Sequence, residues 1–313
     1  MKLSLIVPSY NEEENVKSFY EAVKTTFDGQ PYEYEIIFVN DGSKDCTLKE
    51  MKKLYKEDED HVRIISFSRN FGKEAAILAG MRRASGDYVT LIDADLQQRP
   101  EIARDMVGFL EQHEEFDCVA AYQEKRRESH VLKLFKKLFY HIMDRTSDVR
   151  FVDGASDFRT FRKAMVETIM ALPEYFRFSK GIFSWVGYET YYIPYQVEER
   201  NAGKSKWNFV SLVRYAIEGF ISFSTFPLKI ATFLGTLTSG GAILYLIVVI
   251  FEKLLYDIDV PGYPTIISLI LLIGGIQLLI LGIMGEYLSR IYVEGKNRPI
   301  YIEKEVLLGR KEE

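Results

Sequence analysis

The chain has 313 residues, with 40 basic against 45 acidic side chains and a net charge of −5. That balance argues against a nucleic-acid binder working through a broad basic surface. Apolar residues at 47% and charged residues at 27% supply enough core material to exclude a disordered chain. Its two cysteines, Cys46 and Cys118, form no CxxC pair and have no histidine beside them. Neither a disulfide framework nor a structural zinc site is expected, and a reducing compartment fits.

Taken in chain order, the first half alternates β-rich runs with helical ones. LSLIVPSY (3–10) reads as a buried strand and NVKSFYEAVKTTF (15–27) as a helix. EYEIIFVND (33–41) is the next strand, TLKEMKKLYKED (47–58) a helix, and VRIISFS (62–68) a third strand. KEAAILAGMRRA (73–84) is a helix and DYVTLIDAD (87–95) a fourth strand, followed by a helix near 100–112 and the run FDCVAAY (116–122). Such alternation predicts βαβ units around a mostly parallel sheet covered on both faces. Ligands of these sheets lie beyond the carboxyl ends of the strands. There the sequence places Pro8-Ser9-Tyr10-Asn11-Glu12, Asn40-Asp41-Gly42-Ser43, Ser68-Arg69-Asn70 and Asp93-Ala94-Asp95.

No G-x-G-x-x-G follows a strand, and Gly203-Lys204-Ser205 lacks the earlier glycine of a P-loop, so dinucleotide and P-loop readings fail. If Asp93-Ala94-Asp95 ends a strand, its two carboxylates point the same way and repel unless a cation lies between them. Oxygen ligands select Mg2+ or Mn2+, with Gln97 as a third donor. The bland alternative is a pair of solvated loop acids. Asp41, before Gly42, reads equally as a turn former.

The C-terminal third is different. Residues 231–251 and 265–285 carry no charge, and each run would reach about 31 Å as a helix, the thickness of a bilayer core. Two buried helices of a soluble domain are the alternative. Arg200, Lys204, Lys206, Arg214 and Lys229 precede the runs, and Arg290, Lys296 and Arg298 follow them. The connecting loop, about 252–264, carries Glu252, Lys253, Asp257 and Asp259. This bias predicts a plasma-membrane protein with the loop outside and both termini and the soluble part cytoplasmic. Residues 208–230 place apolar side chains at helical spacing, as an interfacial amphipathic helix or as packing against the catalytic domain. The expected organisation is a domain over 1–207, this helix over 208–230, two membrane helices over 231–288 and a tail over 289–313.

Seven motifs in order carry a resemblance: VPSYNEEENV (7–16), VNDGSKDCT (39–47), SRNFGKEAA (68–76), DADLQ (93–97), SDFRTFRK (156–163), RFSKGIFSWVGY (177–188) and RNAGKSKW (200–207). With them the chain resembles family 2 glycosyltransferases of the GT-A fold. Among these it is similar to polyprenyl-phosphate glycosyltransferases, the group of dolichol-phosphate mannose synthases and bacterial undecaprenyl-phosphate sugar transferases. The resemblance implies an α/β, Rossmann-like GT-A catalytic domain followed by interfacial helices and two transmembrane helices. It implies that Pro8, Tyr10, Glu12, Asp41, Arg69 and Asp93 bind a nucleotide sugar, and that Asp93, Asp95 and Gln97 hold the metal. Asp95 and Asp157 would be catalytic, and Arg126, Arg127, Arg200, Ser205 and Lys206 would bind the acceptor phosphate. Two positions depart from the family pattern. Gln98 stands where an acid is common, and Gln123 where an arginine is, which points to Arg126, Arg127 or Lys133 for the acceptor phosphate instead.

The implied reaction is inverting transfer of a hexose or N-acetylhexosamine from a UDP-sugar to undecaprenyl phosphate. A GDP-mannose-dependent mannose synthase and a catalytically inactive membrane scaffold are the alternatives. The resemblance also implies a homo-oligomer, a tetramer in relatives, and the spaced glycines Gly274, Gly275, Gly282 and Gly285 suggest close helix packing.

Overall fold

Alternation along the first strands sets the layers. In β1 (Lys2–Ser9), Leu3, Leu5 and Val7 enter one apolar core while Ile6 enters a second. After α1 (Val16–Phe27), β2 (Glu33–Asn40) divides likewise, Ile36 and Phe38 against Ile37 and Val39. Strands apolar on both faces need cover on both, and helices supply it. The computed structural model describes residues 1–123, 146, 154–196, 220–256 and 262–309.

The chain continues through α2 (Thr47–Glu57), β3 (Val62–Phe67), α3 (Lys73–Arg83), β4 (Tyr88–Leu91), α4 (Pro100–Gln112) and β5 (Cys118–Gln123). Then come β6 (Ala155–Arg162), α5 (Lys163–Ala171), α6 (Ser179–Trp185) and β7 (Thr190–Tyr195). Two long helices, α7 (Phe226–Tyr256) and α8 (Tyr263–Glu294), precede β8 (Glu303–Leu307). Helices α1, α2 and α4 cover the first core, and α3, α5 and α6 the second. The strands form one sheet in the order β7-β5-β6-β4-β1-β2-β3-β8. Its centre, β4-β1-β2-β3, is parallel, β5 pairs β7 in parallel, and β6 and β8 run antiparallel to their neighbours. The expected α/β class with a mostly parallel sheet is therefore the one observed.

The fourth strand is shorter than its sequence predicts. It ends at Leu91, so Asp93-Ala94-Asp95 lies in a turn and not on a strand. The reason is local. Ile92 N donates to Ile6 O at 3.1 Å as the last rung, while Asp93 N is taken by the Gln98 side chain at 3.0 Å. Leu96 then turns the chain at φ +58°.

The tail is not a simple extension either. β8 adds an antiparallel edge strand beside β3, with Ile64 opposite Leu307 and Ser66 opposite Glu305. Lys52 reaches Glu305 at 2.6 Å, Tyr55 OH donates to Leu308 O at 2.6 Å, and the Phe67 and Tyr301 rings stack at 4.9 Å. This closes an edge that would otherwise offer unpaired backbone groups.

Helices α7 and α8 contain spans of 27 and 30 residues with mean hydropathy 2.1 and 2.7, long and apolar enough to cross a membrane. Neither span is buried within the chain, which sets aside the reading of two soluble-core helices. Ahead of them, residues 220–223 are helical, and the chain breaks at Ser224-Thr225 before α7 starts. Ser224 Oγ accepts from Phe226 N at 3.2 Å, which caps the new helix. The rest of the expected helix over 208–230 lies outside the described residues.

Candidate functional site

The loops after β1 and β2 are laced together by their own polar side chains. Asn11, at φ +54°, donates its N–H to Ser43 Oγ at 3.0 Å and accepts from Lys44 N at 2.9 Å. Glu12 N donates to Thr47 Oγ1 at 2.8 Å, and the Glu12 carboxylate accepts from Asn15 Nδ2 at 2.7 Å. Glu13 takes Cys46 N at 2.7 Å. Within the acidic run after Tyr10, the Glu13 carboxylate thus ties the two loops into one rim while that of Glu12 braces its own. Tyr10 is half-buried on that rim.

Asp41 joins the third loop to it. It is 3% exposed, and its two oxygens accept Phe71 N at 2.6 Å and Gly72 N at 3.0 Å. Burial pushes this carboxyl above its ordinary range, partly offset by those two donors and by Arg69. Asp41 therefore fixes the entry to α3. Arg69, exposed beside it, lays its guanidinium 4.0 Å from the Phe71 ring. Gly42 lies so close to the third loop that a Cβ there would come within 2.3 Å of the Arg69 carbonyl carbon.

The fourth loop brings the acids together. Lys73, the first residue of α3, places Nζ 2.7 Å from Asp93 Oδ1 and 3.4 Å from Asp157 Oδ2. Two carboxylates, one on the turn after β4 and one on β6, thus share one ammonium. Pro8, Ile77, Gln98 and Phe158 line the same small cleft. Burial opposes the Lys73 charge, but Asp93 and Asp157 outweigh it and hold the ammonium above its usual range. Burial also opposes ionisation of Asp157, yet Lys180, Lys73 and Arg159 overcome it and hold its carboxyl at about 2. Asp157 is thus an ionised anchor and a poor proton acceptor at neutral pH.

Glu74, next along α3, differs. Burial and the Asp157 charge raise its carboxyl to about 7, against the bonds it accepts from Ser179 N at 2.9 Å and Ser179 Oγ. Between the unfolded value of 4.5 and about 7 the folded chain keeps a proton that the unfolded chain releases. Stability from this group is therefore full below pH 4.5 and lost as pH rises through 7. Glu74→Gln keeps an acceptor for Ser179 N and removes the penalty. Its melting curves are expected to match wild type near pH 5 and to show a gain of about 2 kcal/mol at pH 8.

Ser179 opens α6, and the far side of α6 meets the base of the long helices. The Phe178 and Phe223 rings are 6.1 Å apart, and Phe223 also packs on Gly181. Arg290 Nη1 donates to Ser222 Oγ at 2.9 Å with its guanidinium 5.1 Å from the Phe176 ring, and Tyr175 N donates to Glu294 at 3.1 Å. The cleft and the apolar helices are therefore joined through one short helix.

Asp95 and Gln97 lie on the turn after Asp93, Asp95 Oδ1 accepting Gln97 N at 3.2 Å. The donor set is all oxygen, and the described residues hold no cluster of three His, Cys, Asp or Glu side chains that could retain a metal alone. Such a set fits a hard divalent ion completed by ligand oxygens, and not a structural metal. Of the sequence-derived site, the structure gathers Pro8, Asp93 and Asp157 at the cleft, with Asp95 and Gln97 on the adjoining turn and Tyr10, Glu12, Asp41 and Arg69 on the neighbouring loops. Arg126, Arg127, Lys133, Arg200, Ser205 and Lys206 lie outside the described residues. Sequence reasoning missed Lys73, Glu74, Gln98 and Ser179 as parts of the site, although each sits inside or beside a quoted motif.

Comparison with known proteins bears on this arrangement. The profile of "Glycosyl transferase family 2" matches residues 4–170. CsbB of Bacillus subtilis (strain 168), named only provisionally as a glycosyltransferase, is 42% identical over 99% of this chain and 93% of its own length. The uncharacterized glycosyltransferase sll0501 of Synechocystis is 39% identical over 96% of this chain and 94% of its own. The bactoprenol glucosyl transferase of Shigella phage SfII is 40% identical over 97% of this chain and 98% of its own.

Proposed function

This chain belongs to glycosyl transferase family 2 and is a glycosyltransferase, and we propose that its acceptor is undecaprenyl phosphate and its donor a UDP-sugar, with glucose or N-acetylglucosamine transferred. The observation that carries this reading is the full-length similarity to the phage bactoprenol glucosyl transferase, which takes in both apolar helices along with the catalytic sheet. The joint through α6 supports it, since an acceptor anchored in a bilayer must meet the cleft at the membrane surface. The sheet and the tail strand then lie on the cytoplasmic face, and the α7–α8 connection outside.

Asp93, Asp95 and Gln97 would hold Mg2+ or Mn2+, which supplies positive charge to the departing diphosphate. Pro8, Tyr10, Glu12, Asp41 and Arg69 frame the loops that receive the nucleotide. The attacking atom is an oxygen of the lipid phosphate, whose second pKa near 6 leaves it mostly dianionic at neutral pH. As its bond to the anomeric carbon forms, the bond to the UDP oxygen breaks, giving one displacement with inversion and no proton to remove. That chemistry needs no general base, which agrees with a carboxyl at Asp157 held at about 2. Asp157 acts instead by fixing Lys73 and the charge of Lys180, while Arg126, Arg127, Arg200, Ser205 and Lys206 would receive the acceptor phosphate. Bringing two anions together is the main electrostatic task, and cations perform it.

The test is direct. Purified full-length protein is incubated with undecaprenyl phosphate, Mg2+ or Mn2+, and UDP-glucose, UDP-GlcNAc, UDP-galactose or GDP-mannose, and the lipid product is identified by mass. A monophosphate-linked hexose or N-acetylhexosamine from a UDP-sugar is expected. Product from GDP-mannose alone would overturn the uridine donor, and no product from folded protein would overturn the acceptor.

A further inference from the structure

We propose, resting on the reading that Asp93 and Asp95 hold a metal on the donor diphosphate, that Lys73 is a resident counter-cation that keeps Asp93 paired until nucleotide and metal enter together. Lys73 Nζ occupies a position 2.7 Å from Asp93 Oδ1, so an ion coordinated there meets a like charge. Without Lys73, Asp93 and Asp157 face each other with Glu74 alongside, and like charges at that range repel. The ammonium thus offsets the repulsion between the two carboxylates.

The local structure suits an exchangeable partner. Asp41 pins the backbone just ahead of Lys73 through Phe71 N and Gly72 N, which fixes where the side chain starts. Beyond that point the flexible four-carbon stem leaves the side chain 42% exposed, against 24% for Asp157, although the ammonium itself is desolvated between the two acids. A divalent ion alone would have to displace the ammonium from Asp93 and leave it beside a second cation. A diphosphate arriving with the ion brings new negative charge that can receive the displaced ammonium, while Asp157 still holds it at the rear. Metal and nucleotide therefore raise each other's affinity, and this coupling is reciprocal.

The consequence is a chain that ignores free metal. Mn2+ binding to the purified full-length protein is read from the free-ion signal in electron paramagnetic resonance, with and without UDP. Wild type is expected to bind Mn2+ weakly alone and tightly with UDP. K73Q is expected to bind Mn2+ alone roughly tenfold tighter than wild type, with the gap largely closed once UDP is present. K73R, which keeps the charge, is expected to follow wild type. Thermal melts of the same samples check folding, and K73Q is expected to gain more in melting temperature from Mn2+ alone than wild type does. If wild type binds Mn2+ with UDP but K73Q binds Mn2+ alone no tighter than wild type, Lys73 is only a structural ion pair and the proposal falls. If wild type binds no Mn2+ even with UDP, the metal reading itself fails and takes this one with it.

Discussion

Asp95→Ala is expected to lower glycosyl transfer by about a thousandfold, equivalent to roughly 4 kcal/mol of transition-state stabilisation, while the protein stays folded and in the membrane. The size follows from the task assigned to the position. Charge develops on the leaving diphosphate, and losing a carboxylate that holds its counter-cation removes stabilisation where the charge appears. Asp95 is the better probe of the two acids because it does not share the Lys73 ammonium. Asp93 also anchors Lys73 and touches Gln98, so its loss disturbs the cleft as well as the proposed metal site. Asp95 sits half-buried in the turn and accepts Gln97 N at 3.2 Å. Steady-state turnover with radiolabelled donor, beside a melting curve, decides the matter. Turnover within threefold of wild type would remove Asp95 from the metal site.

Gly42→Ala is expected to be the most damaging single methyl group in the loops proposed to receive the nucleotide. Gly42 has φ +62°, where an L side chain is strained by about 1 kcal/mol. The added Cβ would also lie 2.3 Å from the Arg69 carbonyl carbon and 2.6 Å from Asn70 N. Those are backbone atoms held by Asp41 through the next two residues, so they cannot step aside as a side-chain tip would. A loss of about 3 kcal/mol, or roughly 6–10 °C in melting temperature, is expected. UDP affinity should fall further than stability, because the displaced loop carries Arg69. Gly29→Ala is the control, with φ +83° but nothing within 4 Å of the new methyl, so only the backbone strain applies. Equal effects at the two positions would show that loop proximity is unimportant.

Much of this architecture is readable from residue order because its causes are local. The first three strands announce themselves by apolar runs bounded by Asn, Asp, Gly and Ser, and their carboxyl-end loops carry the residues that the fold gathers. The position of Asp93 and Asp95 was harder. The apolar run Tyr88–Ile92 continues visually into the acids, but Gln98 intercepts the backbone from five residues ahead. No periodicity signals that. Lys73 and Glu74 are ordinary residues for a first helical turn, and their meaning comes from Asp93, Asp157 and Ser179, which only the sheet order brings near. The strand Glu303–Leu307 is short and charged, and it becomes a strand because β3 offers an open edge. An edge-strand partner more than two hundred residues away is invisible to any local pattern.

That last strand also sets an order of events during synthesis. β8 leaves the ribosome after both long helices, so the β3 edge stays unpaired while they are being made. The catalytic sheet is therefore completed only after both long helices have been made. A chain cut short before β8 would keep an open sheet edge, a feature that exposes a protein to aggregation and proteolysis. The tail thus makes completion of the catalytic sheet the last step of synthesis, after the two helices that on the membrane reading carry the enzyme to the bilayer.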